Sequence, residues 1–283
     1  MLTLSGIWIY PVKSLAGVFR SRAMLLPKGL EHDRRWMLVD EHGVFLTQRV
    51  HGSMALFTVQ ESGEGFVIAH QDENIVLPYQ QAEPSDSFEV QIWDDRVRAF
   101  EVDPSYSAWF SRKLGIRCRL VAFPEANARQ IDTSYAKAGE NVSLADAYPL
   151  MMIGEATLAY LNSKLDEPVP MTRFRPNLTF TGGSPHDEDT WKDFTIGGNS
   201  FSGIKRCARC VLTTVDPKTG KKGSEPLKTL STYRKENGKT YFGQNLIART
   251  TNEIRIGDTI EVRTYHEARV HHNKNAQYDS ALS

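Results

Sequence analysis

The sequence predicts a mostly β protein of the α+β class, and three observations support this prediction. Short runs of β-branched and aromatic residues recur along the chain with turn residues between them. The apolar spacing of a helix is clearest in two segments, and strand-like runs outnumber them. The length of 283 residues suits two packed units, because a single hydrophobic core usually stops growing near this size. We therefore expect two β-rich domains in close contact.

The predicted elements follow from these patterns along the chain. Runs rich in Val, Ile, Tyr, Phe and Trp predict strands at residues 4–10, 36–39, 65–70, 88–93, 97–102, 178–181, 194–196, 211–215 and 259–264. Large apolar side chains that recur on one face predict helices at residues 104–114 and 155–165. Both helices are expected to cover a sheet with that face.

The stretch 123–145 is polar and rich in turn residues, which makes it the best candidate for a domain boundary. We expect an N-terminal β-rich domain at residues 1–122 and a second domain at residues 123–264. Residues 265–283 have no apolar periodicity and are typical of a polar tail or the start of a linker.

The charge balance argues against several classes of partner. Lys plus Arg equals Asp plus Glu at 34 each, so the overall charge favours neither nucleic acid nor an anionic membrane. No apolar run reaches the roughly 20 residues needed to span a bilayer. The first residues lack the basic and apolar regions of a signal peptide. We expect a cytoplasmic protein with no nucleic-acid or membrane partner, in which any charge-based function is local.

The chain has three cysteines, Cys118, Cys207 and Cys210. These are too few for a disulfide framework and too scattered for a four-cysteine zinc or iron–sulfur site. Cys207 and Cys210 form a CxxC motif with a lysine and two arginines close by in sequence. Such a cationic setting favours the thiolate form of cysteine.

Three explanations of the CxxC motif remain from the residues alone. A thioredoxin-type redox pair normally opens a helix, whereas the residues after this motif, 211–215, are predicted as a strand. A zinc site needs a second pair of ligands, and the histidines form no HxxxH or CxxH motif. Two buried structural cysteines would need no further partner, because free cysteine is among the most buried residue types.

A second cluster lies near the N-terminus. Lys13 and Ser14 follow a proline turn, and an ammonium, a hydroxyl and free backbone amides together suit a phosphate oxygen. A solvated lysine beside a turn serine is the alternative. Further on, alternation along a strand that opens at 33–36 would place Arg34 and Arg35 on opposite faces. One of the two arginines would then point inward, where it would need an anion.

A third cluster enters the predicted strand 178–181. Pro176 fixes its own φ and biases Arg175 towards an extended conformation. This would present the planar guanidinium of Arg175 and the amide of Asn177 to a ligand. The alternative is an ordinary strand start with a surface arginine.

Six motifs in chain order closely resemble one family, the MOSC proteins of the amidoxime-reducing type. The motifs are YPVKS, DRRW, RFRPN, KRCARCVLTTVDPKTG, EPLKTL and FGQN. The resemblance covers about residues 4–262, and its cysteine-containing string is highly specific. It implies an N-terminal β-rich MOSC domain packed on a MOSC β-barrel, the two together holding a molybdenum cofactor (molybdopterin).

The resemblance also implies the roles of particular residues. Cys210 matches the cysteine that ligates molybdenum, and Cys207 matches one that the family keeps without using it as the ligand. A soft thiolate suits a molybdenum that carries dithiolene sulfurs. The cofactor-binding residues implied are Lys13, Ser14, Arg34, Arg175, Asn177 and Arg209, with Asp146 close by as a second catalytic residue. The sequence departs from some relatives at Ala208, where a serine hydroxyl is often found.

The activity implied is the reduction of N-hydroxylated compounds, such as hydroxylaminopurines and amidoximes, with the oxygen released as water. The proton donor is open; Asp146 and a water on the metal are the candidates. The chain has no GxGxxG fingerprint, no four-cysteine cluster set and no CxxCH haem site. Electrons are therefore expected from outside these residues. The resemblance implies a ferredoxin-type donor with its reductase, either as a separate protein or in a longer chain of which these residues are a fragment.

Two other functions stay open. A sulfur or molybdenum-cofactor carrier would use Cys210 as a persulfide and would need no permanent cofactor. A non-enzymatic β scaffold would leave inward-pointing basic groups without an anion, which is costly.

Overall fold

The computed structural model describes residues 1–80 and 86–267 and confirms the mostly β class. The strands are β1 Thr3–Ile9, β2 Val18–Arg20, β3 Arg22–Leu26, β4 Gly29–Leu30, β5 Trp36–Val39, β6 Thr58–Glu61, β7 Gly65–His70, β8 Glu73–Pro78, β9 Phe88–Ile92, β10 Asp95–Glu101, β11 Arg119–Ala122, β12 Leu150–Gly154, β13 Leu178–Thr181, β14 Trp191–Ile196, β15 Asn199–Arg209, β16 Lys235–Glu236, β17 Lys239–Ala248, β18 Glu253–Arg255 and β19 Ile260–Tyr265. The helices are α1 Pro104–Leu114, α2 Glu155–Asn162 and α3 Leu227–Arg234. Short 3₁₀ helices occur at Gly52–Leu56, Met171–Arg173, Asp187–Thr190 and Val211–Thr214. Most of the predicted tail, from residue 268 onward, lies outside the described residues.

The largest sheet has nine strands in the order β19-β14-β15-β17-β12-β13-β1-β2, with β16 paired to β17. The sheet curls back on itself, because Leu4 N donates to Asp258 O at 2.9 Å and Gly257 N donates to Leu4 O at 2.8 Å. The first strand of the chain is thus built into the sheet of the C-terminal half. The two expected domains share this sheet, and the boundary between residues 122 and 123 stays a prediction.

Three smaller sheets complete the fold, in the orders β5-β11-β10-β9, β18-β3-β4 and β6-β7-β8. Strand β5 lies between two hydrophobic cores. Trp36 and Leu38 pack into the main core, whereas Met37 and Val39 pack into a second one. Because every side chain of β5 is buried, the residues just before it lie at the entrance of a rigid strand.

Helix α1 has the predicted bounds at both ends. The carboxylate of Asp103 accepts from Ser105 N at 2.7 Å and caps the N-terminus, and Pro104 occupies the first turn, where its missing N–H has no partner to lose. Gly115 ends the helix in the left-handed conformation, with φ of 69°.

Helix α2 is shorter than the predicted 155–165. It ends at Asn162, whose side chain donates to Val169 O at 3.1 Å and accepts from Val169 N at 3.0 Å. These two bonds fold the following loop back onto the helix end. No helix in residues 1–80 and 86–267 is long and apolar enough to cross a membrane.

The predicted strand 211–215 is wrong, and residues Val211–Thr214 form a 3₁₀ helix. The hydroxyls of Thr213 and Thr214 each donate to the carbonyl three residues earlier, at 3.0 and 2.8 Å. Such local hydroxyl bonds offer the backbone an alternative to a strand ladder. The strand of this region is β15, which includes Cys207 and ends at Arg209, directly before Cys210. The other eight predicted strands are present, three of them with the predicted bounds.

Candidate functional site

A cleft of about 590 Å³ opens beside the end of β15 and brings all the predicted site residues together. Its lining includes Lys13, Ser14, Arg34, Asp146, Arg175, Asn177, Arg209 and Cys210. Nine lysines and arginines line the cleft against four aspartates, although the whole chain is balanced at 34 of each sign. The positive charge is therefore local, and it favours an anionic ligand in the cleft.

Lys13 is held at the base of the cleft by the start of β5. Its backbone N donates to Trp36 O at 2.7 Å, and only 4% of the residue is exposed. Its ammonium donates to Asp146 Oδ1 at 2.6 Å and to Leu144 O at 2.8 Å. Burial lowers the pKa of Lys13 to about 8, and Asp146 opposes part of that fall. Lys13 is thus a charged group that already has a counterion.

Asp146 is the acidic centre of the cleft. Besides Lys13, its carboxylate accepts from Arg49 Nη2 at 2.8 Å and from Trp93 Nε1 at 3.3 Å. About half of its side chain, 53%, still faces the open cleft. Although partial burial disfavours its charge, Lys13 and Arg49 hold the pKa of Asp146 well below its usual range. At neutral pH Asp146 is ionised, so it balances and orients neighbouring cations and holds no proton to donate.

Arg49 is a site residue that the sequence reasoning missed. Its Nε lies 3.0 Å from Cys210 Sγ, its Nη2 donates to Asp146, and its guanidinium stacks over the Trp93 ring at 4.5 Å. Asp146 and Cys210 raise the pKa of Arg49 against the opposing effect of burial. The one local signal was a run of polar residues, 47–49, of which the first two are buried. Spacing alone gave no reason to place this run beside the CxxC motif.

Arg34 and Arg175 flank the ring of Tyr10, with guanidinium carbons 4.4 and 4.2 Å from its centroid. Both arginines have left-handed backbones, with φ of 50° and 55°. The strand alternation expected across residues 33–36 and the extended backbone expected at Arg175 are therefore wrong. Arg34 N donates to Tyr10 O in a distant segment, and Arg175 N closes a local turn onto Thr172 O. These hydrogen bonds override the preference for an extended backbone at both positions.

The two arginines differ in their partners. Arg34 Nη1 donates to Asp33 Oδ2 at 2.6 Å, and the side chain of Asp33 is fully buried. Arg175 Nη1 donates to the carbonyl of Leu15 at 2.5 Å. Within residues 1–80 and 86–267 no carboxylate lies within ion-pair distance of Arg175. Burial lowers the pKa of Arg175 to about 10. A largely buried cation that borders a cavity without a counterion is a site for an anion.

Asn177 has internal partners for its side chain. Its Oδ1 accepts from Arg34 Nη1 at 3.0 Å and from Met151 N at 3.2 Å, and its Nδ2 donates to Trp8 O at 3.1 Å. These bonds tie β1, β12 and β13 together beneath the cleft. The role of Asn177 in binding a cofactor stays a prediction.

The two cysteines of the CxxC motif have different surroundings. Cys207 lies in β15, packs against an apolar cluster and accepts from Arg209 Nη1 at 3.0 Å. Cys210 lies just after β15, directly before the 3₁₀ helix, where its sulfur faces the Nε of Arg49. Both are free thiols, as is the buried Cys118 far along the chain.

Arg209 spans the floor between these cysteines and the arginine pair. Its Nη2 donates to Phe174 O at 2.6 Å, and its buried Nε has no hydrogen-bond partner in the described part of the chain. A buried donor without a partner is rare and points to a ligand or water. In the same part of the chain, no three His, Cys, Asp or Glu side chains cluster to hold a metal ion. A metal bound at Cys210 would need most of its ligands from a cofactor.

Comparison with known proteins identifies two matching domain families. Residues 139–261 match the MOSC domain, and residues 1–117 match the MOSC N-terminal beta barrel domain. The chain is 31% identical to mitochondrial amidoxime-reducing component 1 of Mus musculus, over 91% of this chain and 81% of that protein. It is 32% identical to mitochondrial amidoxime reducing component 2 of Bos taurus, over 82% of this chain and 72% of that protein.

A third relative is a molybdenum cofactor sulfurase. The chain is 30% identical to the molybdenum cofactor sulfurase of Arabidopsis thaliana over 85% of this chain, which is only 32% of that protein. Among solved structures, the YUAD protein from Bacillus subtilis is 12% identical, covers 94% of this chain and 98% of its own, and gives a TM-score of 0.43. That likeness is too weak to support an argument.

Proposed function

The chain belongs to the MOSC family that includes the amidoxime-reducing components, and on this premise we propose that it binds a molybdenum cofactor in the cleft and reduces N-hydroxylated compounds. Amidoximes and hydroxylaminopurines are the substrate classes proposed. In the overall reaction the N–O bond breaks, two electrons and two protons are consumed, and the oxygen leaves as water.

The observation that supports cofactor binding is the unbalanced Arg175. Its charge is largely buried and borders the cleft, and among the described residues its side chain donates to one carbonyl alone, that of Leu15. The phosphate of a pterin cofactor would supply the missing negative charge, and guanidinium binds phosphate through paired hydrogen bonds. Ser14 and the unpartnered Nε of Arg209 lie along the same cleft and offer further donors. The residues present therefore fit an anionic cofactor.

The proposed protein ligand to molybdenum is Cys210. When bound, the cofactor supplies a redox-active metal with sulfur ligands, to which a soft thiolate is matched. Arg49 places an N–H 3.0 Å from the Cys210 sulfur, where it donates a hydrogen bond to that atom. Asp146 fixes Arg49 from the other side. In this arrangement Lys13, Arg49 and Asp146 orient the sulfur and the cleft wall, while Trp93 forms part of the rim.

The test of this proposal is metal and pterin analysis of protein made in cells that synthesise the cofactor. We expect molybdenum and pterin in near-equal amounts, close to one per chain. A reduced viologen dye should then support turnover of an amidoxime, measured by amine formation. Protein that is folded, expressed in such cells and free of both molybdenum and pterin would contradict the proposal.

Electron supply is tested in the same preparation. The sequence has neither a dinucleotide fingerprint nor a four-cysteine cluster set, so we expect NADH alone to give no turnover. Adding a ferredoxin-type donor and its reductase should restore NADH-linked activity. Turnover with NADH alone at the rate of the dye would contradict this expectation. The cytoplasmic location expected from the sequence is a separate proposal, open to cell fractionation.

A second candidate function is sulfur or cofactor transfer through a persulfide on Cys210. Two observations favour it: Cys210 lines both the cleft and a neighbouring groove, and the chain resembles a molybdenum cofactor sulfurase. The same purified protein separates the two candidates. A persulfide detected on Cys210 by mass spectrometry, without bound molybdenum, would support the carrier and not the reductase.

A further inference from the structure

A second groove, of about 610 Å³, meets the cleft at Cys210 on the outer side of the protein. Lys228, Lys235 and Lys239 line it together with Arg209, and no carboxylate of the described residues does so. Val211, next to Cys210, is 48% exposed in this groove. The groove is therefore a positively charged surface directly beside the proposed metal ligand.

The positive surface extends beyond the groove itself. The turn after the 3₁₀ helix carries three more exposed lysines. Lys222 Nζ donates to Arg49 O at 2.5 Å, which places this turn beside the residue whose Nε contacts Cys210. We call the six exposed lysines around Cys210 the lysine face: Lys218, Lys221, Lys222, Lys228, Lys235 and Lys239. None of them forms an ion pair within residues 1–80 and 86–267.

The acidic residues of the same segment are already engaged. Residues 205–240 contain ten lysines and arginines and only three acids. Asp216 accepts from the backbone of Lys218, Glu225 accepts from Thr229 N at 3.0 Å, and Glu236 pairs with Arg206. The charges of the lysine face thus have no counterion among the residues that the structure describes, and they are available to a partner.

We propose that the lysine face is the docking surface for an acidic electron-carrier protein, which delivers electrons to the site at Cys210. This inference rests on the proposed reduction, which needs an external reductant. Two one-electron carriers are oxidised in each turnover, their electrons and two protons cleave the N–O bond, and water leaves. Docking here brings the carrier to the edge of the cleft, next to the exposed Val211 and the proposed metal ligand.

The extent of the lysine face favours a protein over a small anion. A small anion needs donors that converge on one point, whereas only three of the six lysines line the groove. The others lie on the turn after the 3₁₀ helix, and the six together occupy that turn, α3 and the β16–β17 hairpin. Opposite charges spread over two such surfaces steer encounter and suit the small, transient interfaces of electron-transfer proteins.

The binding test uses an oxidised plant-type [2Fe–2S] ferredoxin as the acidic probe and isothermal titration calorimetry at low ionic strength. The double variant Lys228→Glu with Lys235→Glu reverses two charges of the face without touching the cleft lining. The matched control is Lys137→Glu with Lys192→Glu, two exposed lysines that line neither cavity. We expect at least about tenfold weaker binding for the first variant, wild-type binding for the control, and loss of wild-type affinity in 0.5 M salt.

Activity provides a second measurement. Turnover driven by ferredoxin should fall in the Lys228→Glu, Lys235→Glu variant, while turnover driven by the viologen dye should match wild type. Equal ferredoxin binding by wild type and this variant would overturn the proposal. So would a variant that loses binding of inorganic phosphate or of a short oligonucleotide while ferredoxin binding is unchanged. Charge-dependent ferredoxin binding by a protein that lacks molybdenum would keep the docking surface and overturn only the proposed reduction.

Discussion

Two regions of the molecule bury ionisable groups, and they treat the charge in opposite ways. In the cleft, Arg175 keeps a charge that is largely buried, with no carboxylate partner in the described residues. Beneath α2, Glu188 is fully buried, and its hydrogen-bond partners in the described part of the chain are both neutral: Thr157 Oγ1 at 2.8 Å and Gly154 N at 3.3 Å. Burial, with a contribution from Asp189, raises the pKa of Glu188 to about 7. Arg175 in the cleft therefore stays charged at neutral pH, whereas Glu188 beneath α2 is largely protonated below pH 7.

His186 belongs to the second region, which we call the α2 box: His186, Glu188 and the Thr157 between them. Thr157 Oγ1 accepts from His186 N at 2.7 Å. Both ring nitrogens of His186 are buried without a partner in the part of the chain that the structure describes. Burial lowers the pKa of His186 to about 4, and Arg234 adds to the effect. Uncompensated charge is thus found at the proposed ligand site, whereas the ionisable groups of the α2 box are driven towards neutrality.

The largest expected effect lies in the cleft, at its two cysteines. Cys210→Ser should remove bound molybdenum, because a hydroxyl is a poor substitute for a soft thiolate ligand. Cys207→Ser should retain at least part of the metal, because the Cys207 sulfur packs against the apolar cluster and Arg209. Metal content per folded chain measures both. Equal molybdenum content in wild type and Cys210→Ser would show that Cys210 is not the metal ligand.

The next largest effect is on the stability of the fold, which should fall more in Arg34→Ala than in Arg175→Ala. Arg34→Ala leaves the fully buried carboxylate of Asp33 without its counterion, and breaking such a pair costs about 3–5 kcal/mol. Arg175→Ala removes a cation that no carboxylate of residues 1–80 and 86–267 pairs with, so the free energy of unfolding of this variant should stay closer to wild type. Denaturant unfolding of the cofactor-free proteins measures the difference. If the two variants lose the same stability, the contrast between paired and unpaired arginines does not hold.

Cofactor retention should separate the same arginines in the opposite sense, because only Arg175→Ala should lose cofactor while keeping the stability of the fold. Arg175→Ala should weaken retention without unfolding the chain, since losing one charged hydrogen bond costs about 1.5–3 kcal/mol, or roughly 10- to 150-fold in affinity. Lys13→Ala and Arg34→Ala should also weaken it, but together with stability, because each now breaks an internal ion pair. Pterin content after dialysis of folded protein is the measurement. Normal pterin content in all three variants would place the phosphate elsewhere.

The sequence predicted which residues line the cleft better than it predicted how those residues are arranged. Local signals sufficed for α1, where the cap, the proline and the terminal glycine lie within a few residues of one another. They also sufficed for the residues of the cleft that the family motifs carry. Strands β12, β15 and β17 escaped prediction, although they form the centre of the large sheet. Strand β15 contains irregular pairing at two points, which interrupts the alternation that a sequence pattern needs.

The contacts of the cleft could not be predicted for a related reason. Arg49 reaches Cys210 across 161 residues of sequence, and Lys13 reaches Asp146 across 133. The left-handed backbone of Arg34 is likewise fixed by a bond to another segment, from Arg34 N to Tyr10 O. The conformational preference of a short segment contains no information about contacts between residues so far apart in sequence. Only the completed sheet brings these residues together.

The smallest expected effect is in the α2 box, where two opposing contributions overlap in pH. A raised pKa in the folded state means that Glu188 holds a proton that the unfolded chain has lost, so its contribution to stability falls as pH rises from about 4.5 to about 7. A lowered pKa means that His186 stays neutral where the unfolded chain is protonated, so its contribution rises from about pH 4 to about 6.5. Between about pH 4.5 and 6.5 the two slopes oppose each other in the wild type.

Single substitutions should therefore separate the two slopes. Glu188→Gln should make stability rise more steeply with pH than in wild type, by up to about 3 kcal/mol over this window. His186→Asn, which tolerates the left-handed backbone at this position, should make stability rise less or fall, and by a smaller amount because the histidine is only half-buried. The free energy of unfolding, measured by denaturant at pH 4.5, 5.5, 6.5 and 7.5, gives the slopes. Groups elsewhere titrate alike in all three proteins, so only differences from wild type count. If the slope of the free energy of unfolding with pH changed in the same direction in both variants, or in neither, the α2 box would keep its ionisable groups charged. The contrast between the α2 box and the cleft would then not hold.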